Sequence, residues 1–464
     1  MWDNQVQEYL PVGTLFLDRE KRLGFVGFIY DRDYVKNGLP AIDPAHLDPQ
    51  KRDGRYVCRF ENGRLPHYFS SFLPGEFSQH LLVDVDSLWT RLSEAEKLYV
   101  MTLAHGDFGA PQLNPQNKQY NDAIQDMSTL NKLITAIRHF QQGDAPNPIT
   151  EELYGALCSF HGTKPKIDYR EIKGDVSRRF VVKLNTTDHF NDARVSAVMQ
   201  KIEDAAGIET CDTRLVKLDN GEDVLFSYNY AHSDMYKKFD DGDSEHIIMK
   251  YNRVSFRVLL AEDPILDNTQ RPSYCHIVHA IEKYSSDPET DKQELYRRAV
   301  FSASVNHTAN GLDNMEMYDT GGGKWRLSPS FNNLPNPISS TEYDVSFTDT
   351  ASTHQLLDMN ELFLEQLGKE FGFNAIRSKS LALPVLTAVS NIQNVMTYYD
   401  LSENDSKSVA KCIKIDEVNK LKSNIEQDPD INLMNDSLHS IELNENVNEE
   451  KIELTKPVRG PGMS

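Results

Sequence analysis

The stretch from residue 180 to residue 230 constrains the fold more than any other part of the sequence. FVVKLN (180–185) is a short run rich in β-branched residues and predicts a strand. DARVSAVMQKIEDAAG (192–207) has helical periodicity and ends at a glycine. TRLVKL and VLFSYNY lie on either side of Asn220-Gly221, a dipeptide that favours a tight hairpin turn. This block therefore mixes helix and strand in the order strand, helix, hairpin.

Two other regions flank this block. Residues 12–31 alternate apolar and polar side chains around a charged turn, which predicts a β-hairpin. The sequence Ser93-Glu94-Ala95-Glu96 is a capping box and predicts the start of a helix. From about residue 251 to residue 400 the chain is mainly helical, and Pro288 marks the beginning of one of these helices.

The last region differs from the rest in composition. After Ser402 the aromatic residues disappear, and the sequence becomes acidic, rich in asparagine and weakly hydrophobic. Such a composition predicts a disordered or loosely docked tail. We therefore divide the chain into an N-terminal subdomain (1–110), a mixed lobe (111–250), a helical lobe (251–400) and an acidic tail (401–464).

The charge and the cysteines limit the classes of function. Lys+Arg 49 against Asp+Glu 70 gives a net charge of −21, so direct non-specific binding of nucleic acid is not expected. We expect no signal peptide, and no apolar run approaches the roughly 18 residues of a membrane span. Five scattered cysteines without a C-x-x-C pair indicate reduced thiols and a cytoplasmic protein. Cys275, His276 and His279 share one predicted helix without a second ligand group, which gives a zinc site little support.

Two segments have part of the chemistry that phosphoryl transfer requires. Such a site needs a loop and a lysine over the phosphates, a strand lysine, metal ligands and an acid near the attacking hydroxyl. HGTKPK (161–166) offers loop N–H groups and two lysines, and Lys183 lies on a predicted strand. Each feature also has a plain structural interpretation, because a short Gly-Lys string is common and a strand lysine is usually exposed. The order strand, helix, hairpin is the layout of a kinase amino-terminal lobe.

Four segments, taken in order, resemble the HipA family of bacterial serine/threonine kinases, the toxins of HipBA-type toxin–antitoxin pairs. HGTKPK resembles the glycine-rich loop of the family, and FVVKL resembles the strand that carries its ATP lysine. Residues 287–305 resemble the helix before the catalytic loop, and KWRLSPSFNNLPNP (324–337) resembles the family pattern W-R-L-S-P-x-Y-D-L-x-P. The resemblance runs from the N-terminal hairpin to about residue 400. It implies an α+β, bilobal protein-kinase-like fold with a β-containing N-terminal subdomain and an all-α C-terminal lobe.

The resemblance also implies particular site residues. Asn314 and Asn332 occupy the metal-binding positions of the family, as weak ligands, and Ser159 matches the position of autophosphorylation, although a solvated loop serine is an equal alternative. The cofactors would be ATP and Mg²⁺, bound weakly or not at all. The implied nucleotide-binding residues are His161, Gly162, Thr163, Lys164, Lys166, Lys183, Ser227, Tyr228, Asn314 and Asn332.

The chain departs from the family pattern at the residues that carry the chemistry. The catalytic loop of the family reads roughly N-T-D-D-H-x-x-N, and here Ala309 stands at the catalytic Asp and Gly311 at the His. Asn332 replaces the metal-binding Asp, and Ser196 stands where an acid would pair with Lys183. Asp313 is the nearest acid, but a register that used it would place Tyr318 at the metal-binding Asn. No catalytic residue is therefore intact.

These substitutions predict a pseudokinase that acts by binding. The partner would be a HipB-like helix-turn-helix antitoxin or another protein, so that nucleic acid is reached only indirectly, and no membrane is involved. Nucleotide could tune that binding. Two alternatives stay open: an active HipA-type kinase toxin with unusual ligands, and a nucleotide-free scaffold whose cleft is filled by side chains.

Overall fold

The structure is a computed structural model, and the statements below concern the residues it describes. These are residues 1–18, 25–59, 64–85, 87–102, 108–113, 123–143, 164–173, 176–185, 189–238, 244–261, 271–337, 342–348 and 358–431. Within them, no helix is both long enough and apolar enough to cross a membrane.

The N-terminal region contains the predicted hairpin. Two strands pair antiparallel with Leu15 opposite Phe28, and a third strand joins the same sheet. The predicted capping box also forms, because the Ser93 N–H donates to the Glu96 carboxylate at 3.0 Å. The elements are β1 (Trp2–Asp3), β2 (Glu8–Tyr9), β3 (Gly13–Asp18), β4 (Phe25–Tyr30), α1 (Arg32–Lys36), β5 (Arg55–Arg59), α2 (His67–Ser70), α3 (Glu76–Val85) and α4 (Glu94–Thr102).

The mixed lobe is a four-stranded antiparallel sheet in the order β6-β7-β9-β8, covered by helices. The predicted strand, helix and hairpin are confirmed, and Gly207 follows the helix with a positive φ of 73° that favours glycine. The elements are α5 (Met127–Gln141), β6 (Lys166–Lys173), β7 (Val176–Lys183), α6 (Asp192–Ala205), β8 (Thr213–Lys217) and β9 (Asp223–Tyr228).

The helical lobe follows a hairpin and also carries a small sheet of three short strands, so it is helical without being all-α. The strands are β10 (His232–Lys238), β11 (Ser244–Lys250), β12 (Arg253–Ser255), β13 (Glu316–Asp319) and β14 (Trp325–Leu327). The helices are α7 (Phe256–Leu259), α8 (Tyr274–Tyr284), α9 (Pro288–Val305), α10 (Glu361–Glu370), α11 (Ala375–Ser390), α12 (Ile392–Tyr398), α13 (Glu403–Cys412) and α14 (Ile415–Glu426).

Two larger apolar cores stabilise the described part of the chain. One large core runs from the N-terminal region, with Val26 and Tyr68, into the helical lobe, with Leu295 and Val385. A smaller core lies between the four-stranded sheet and α5. The N-terminal region is thus packed onto the helical lobe, while the boundaries themselves stay a prediction.

The expected disordered tail from residue 401 is wrong for its first part. The two helices α13 and α14 form there, and Val418, Leu421 and Ile425 are buried on one face of α14. Their spacing of three and four residues makes an apolar stripe, which the acidic average composition hides. The Lys379 ammonium also donates to the Asp428 carboxylate at 3.0 Å. Residues 432–464 lie outside the described part of the chain.

Candidate functional site

The catalytic-loop segment begins where α9 ends. Asn306 has a left-handed backbone with φ of 55°, and its N–H donates to the last turn of the helix. The buried His307 ring donates from Nδ1 to the Leu334 carbonyl at 2.8 Å, and burial lowers the pKa of this histidine. Thr308 accepts a hydrogen bond at its carbonyl from the Asp344 N–H and one at its hydroxyl from the Asn336 amide. The segment is therefore held rigidly from both sides.

The side chains of this segment differ in exposure. Asn310 is buried, where it accepts from the Val345 N–H and donates to the Val345 carbonyl, both at 3.1 Å. Ala309, at the position predicted for the catalytic acid, is exposed and lines the cleft between the lobes. The shape of the loop is thus maintained by buried residues, while the exposed position presents only a methyl group.

The two predicted metal ligands lie together and bond to each other. The Asn332 amide donates to Asn314 Oδ1 at 3.4 Å, and the Asn314 amide donates to the Ala309 carbonyl at 2.9 Å. Hard divalent cations prefer anionic oxygen ligands, and this pair offers two neutral amides. Among the described side chains no cluster of three His, Cys, Asp or Glu residues could hold a metal ion. The residues present do not fit Mg²⁺, so we derive no step through a metal.

Three lysines of the mixed lobe lie close enough for their charges to act on one another. Lys166 and Lys183 are directly opposite each other on β6 and β7, and both are half-buried. Burial, reinforced by the neighbouring Lys183, lowers the pKa of Lys166 to about 7, and burial lowers the pKa of Lys183 to about 8. The Lys164 ammonium lies 3.0 Å from the Asp192 carboxylate at the start of α6. Burial therefore opposes the charged form of Lys166 and Lys183, and Asp192 offsets the charge of Lys164.

One acid of α6, Glu203, lies near Lys183, in addition to Ser196 at the position that the family pattern gives to an acid. Glu203 lies two turns after Ser196 on the same face of the helix, and both residues line a small cavity beside Lys183. The Glu203 carboxylate accepts from the Ser330 hydroxyl at 2.7 Å and from the Asn333 amide. Burial raises the pKa of Glu203 to about 7. In this arrangement Glu203 ties α6 to the segment that carries Asn332.

Two further acids of the cleft were not assigned from the sequence. Glu316 is buried and accepts from the Tyr230 hydroxyl and from Arg253 at 3.5 Å. Asp344 comes from a distant segment, and its Oδ2 lies 3.2 Å from where a Cβ on Gly311 would be. The missing side chain at Gly311 therefore lets this carboxylate approach the loop. Nothing local in the sequence signals that contact.

The predicted nucleotide-binding residues divide between two cavities. A cleft of about 1370 Å³ is lined by Lys164, Lys166, Ala309, Asn314 and Asn332, together with residues of the N-terminal region. The second cavity measures only about 20 Å³ and is lined by Lys183, Ser227 and Asn332, among others. The Tyr228 ring packs edge-on against Phe180 instead, at 6.1 Å between centroids. Ser159, His161, Gly162 and Thr163 lie outside the described residues.

The fold and the cleft define a class: a bilobal α+β protein with a kinase-like fold. A solved structure of HipA from Shewanella oneidensis MR-1, in complex with HipB and its operator DNA, is similar at a TM-score of 0.62 and 13% identity. The similarity covers 90% of this chain and 95% of that one. The proinflammatory kinase CtkA of Helicobacter pylori is also similar, at a TM-score of 0.42 and 13% identity, over 58% of this chain and 95% of that chain.

The family model of the HipA-like C-terminal domain matches residues 158–394. The protein therefore belongs to the HipA family, as the motifs of its sequence predict. A search of curated proteins finds no significant match.

Proposed function

We propose that this protein is a HipA-like pseudokinase, in which phosphotransfer is lost or severely impaired and which acts by binding a partner. The observation that carries the proposal is the predicted catalytic loop, which is held by buried hydrogen bonds and has no acid at Ala309. A general base or orienting acid typically contributes 10²–10⁴-fold to a rate, and alanine supplies none of it. The amide pair of Asn314 and Asn332 removes a second requirement, anionic oxygen for the metal.

The partner follows from the family and from charge. The Shewanella relative was solved with HipB and operator DNA. For this chain we propose a HipB-like helix-turn-helix antitoxin or a similar regulator, and we place it in the cytoplasm. A net charge of −21 opposes direct contact with a phosphate backbone, so DNA would be reached through the partner.

The decisive experiment compares the natural protein with the variant A309D/N332D in a transfer assay with labelled ATP and Mg²⁺. We expect no label on Ser159 or on added protein in the natural protein, and a gain of at least about 100-fold in the double variant, since both acids return. Lys183→Ala in the double variant is the control, and it should abolish the gain. Label on the natural protein that disappears on Lys183→Ala would mean an active kinase, and the proposal would be wrong.

One observation favours the nucleotide-free scaffold as a second candidate. Tyr230, in the segment that joins the lobes, stacks on Phe331 at 6.2 Å with 27° between the rings. Side chains thus occupy part of the space between the lobes. If A309D/N332D stayed inactive although it bound ATP normally, the missing acids would not explain the loss of phosphotransfer. If neither protein bound ATP or any other phosphate compound, the nucleotide-free scaffold would be favoured.

A further inference from the structure

We propose that Asp43 and His46 form a proton-dependent clasp, which fastens the N-terminal region to the helical lobe at Ala261. The two residues lie in the segment between α1 and β5, and Ala261 follows α7. The inference does not depend on the proposed function, because neither the lysines of the mixed lobe nor the catalytic loop takes part in it. It follows from the hydrogen-bonding partners of one imidazole ring.

Both nitrogens of the His46 ring face oxygen atoms that accept hydrogen bonds. Nδ1 lies 3.1 Å from Asp43 Oδ2, and Nε2 lies 2.6 Å from the backbone carbonyl oxygen of Ala261. A neutral imidazole carries one N–H, whereas the imidazolium carries two. The charged ring can therefore donate to a carboxylate and a carbonyl at once, while the neutral ring must turn a lone pair toward one of them.

The Asp43 side chain is arranged as an ionised carboxylate. It is fully buried, and its Oδ1 accepts from the backbone N–H groups of Ala45 at 2.9 Å and His46 at 3.3 Å. Because two backbone donors already engage Oδ1, Oδ2 is the oxygen that faces the ring. A buried carboxylate is costly unless it is paired with a positive charge, and the imidazolium supplies that charge.

The clasp joins parts of the molecule that are 215 residues apart in the sequence. A neighbouring contact between the same two regions does not titrate: the Asn252 amide donates to the Ile42 carbonyl at 2.8 Å and accepts from the Tyr68 hydroxyl at 2.9 Å. Loss of the proton would thus weaken one of these two contacts and leave the other in place. The result would be a loosened segment at residues 42–47.

The clasp lies beside the large cleft. The His67 ring of α2 packs against the His46 ring with 5.9 Å between centroids, and His67 lines the cleft. Val258 of α7 lines it too, and its carbonyl accepts from the Ala261 N–H at 3.1 Å. Since the clasp ties the wall that carries His67 to the end of α7, we expect loss of the proton to loosen that wall of the cleft.

Other titratable groups in the described part of the chain also face the clasp. His67 faces its ring from α2, and three phenols lie close enough to Asp43 to feel its charge: Tyr30, Tyr56 and Tyr68. Burial raises the pKa of each of these tyrosines, so they keep their protons through the neutral range. A positive charge on His67 would repel a charge on His46, and the test therefore includes a His67 variant.

The direct test is ¹⁵N NMR of the imidazole rings of the full chain, with Asp43→Asn and His46→Gln identifying the signals of His46. We expect both ring nitrogens of His46 to carry a proton in more than half of the molecules at pH 7. An ordinary imidazole keeps its second proton in about a quarter of molecules at that pH. A His46 ring that was mostly neutral at pH 7 would overturn the inference.

Asp43→Asn is also the matched variant for stability. Its amide can keep its oxygen on the two backbone N–H groups and turn an N–H toward Nδ1, so that the neutral ring makes both bonds. The unfolding equilibrium constant of the natural protein, divided by that of His46→Gln, should rise at least about threefold from pH 5.5 to pH 8.5. The same ratio measured in the Asp43→Asn background should stay constant.

Two further measurements locate the proton. His67→Asn should leave the rise of that ratio in place; a rise that vanished there and persisted in Asp43→Asn would assign the proton to His67 and overturn the inference. Hydrogen exchange of residues 42–47 needs no substitution. Corrected for the intrinsic effect of pH, it should quicken at least about threefold over the same range. Exchange that did not respond to pH would show that the proton does not fasten this segment.

Discussion

The two walls of the cleft differ in what they retain. On the wall of the helical lobe, Asn310 and His307 maintain the shape of the loop, while Ala309 lacks the reactive group. On the sheet wall, Lys166 and Lys183 keep both their position and their ammonium groups. The comparison shows that shape and chemistry are separable in the loop, because Ala309 is exposed between buried neighbours. The predicted catalytic positions carry Ala309 and Asn332 instead of acids, while the two lysines of the sheet wall are present.

The largest expected effect concerns the buried half of the loop. Asn310→Ala removes the partner of two buried backbone groups of Val345, at about 1–3 kcal/mol each, so we expect a loss of about 2–6 kcal/mol in the free energy of unfolding. Ala309→Ser, next to it and exposed, should stay within about 0.5 kcal/mol. Urea unfolding measures both. Equal effects of the two substitutions would show that the loop is not divided into structural and reactive positions.

Glu203 connects α6 to Ser330 and Asn333, and its contribution to the free energy of unfolding should depend on pH. The pKa of Glu203 is raised to about 7 in the folded protein, so the native state holds its proton where the unfolded chain has released it. Its contribution to stability is full below about pH 4.3 and is lost as pH rises through about 7.

Glu203→Gln keeps an oxygen for Ser330 and does not titrate. Relative to the natural protein, this variant should therefore gain on the order of 2 kcal/mol between pH 5 and pH 8. The measurement is the difference in unfolding free energy between the two proteins at each pH. A difference that did not change with pH would mean that Glu203 is ionised in the fold.

A smaller effect is expected for the binding of anions beside the two lysines of the sheet wall. Lys166 has a pKa of about 7 and Lys183 a pKa of about 8, so both amines lose their charge as pH rises through this window. We expect the affinity of the open cleft for inorganic tripolyphosphate to fall about tenfold between pH 6 and pH 9, because Lys166 lines that cleft whereas Lys183 lines the small cavity. Lys166→Met should therefore show a much shallower fall. A steeper fall in that variant would contradict the assignment.

The smallest effect is expected at the one acid left in the loop segment. Asp313 pairs with Arg257 at 2.6 Å, but both side chains are largely exposed, so the pair contributes about 0–1 kcal/mol. Asp313→Asn should therefore unfold at nearly the same temperature. It should also leave any transfer activity of A309D/N332D unchanged. Loss of that activity would show that Asp313 takes part in it.

How much of this could be predicted from the sequence depends on how local each signal is. The hairpin at Asn220-Gly221 and the helix that ends before Gly207 are set by turn chemistry, and the structure confirms both. The family resemblance predicted which lysines and which loop belong to the candidate site. Glu203 was missed because only Ser196 was compared with the family pattern. Glu203 lies two turns later on the same face of the helix.

The remaining features depend on tertiary contacts between distant parts of the chain. Asp344 reaches the loop through a contact that needs the glycine at Gly311, and Tyr230 meets Phe331 only after the lobes have packed. Neither contact has a sequence pattern of its own. The error about the tail arose from averaging composition over a long stretch, in which three buried residues of α14 are diluted by many acids.

The position of α14 also determines when the protein can finish folding. Its apolar face packs against α11, which is synthesised earlier. Until α14 has been made, that side of α11 is uncovered in the nascent chain, even though the whole segment matched by the family model has already been translated. A nascent chain stalled before Val418 would carry the complete cleft on an unfinished core, and it would be a substrate for chaperones and proteases. The core can therefore be completed only after a helix far from the cleft has been synthesised.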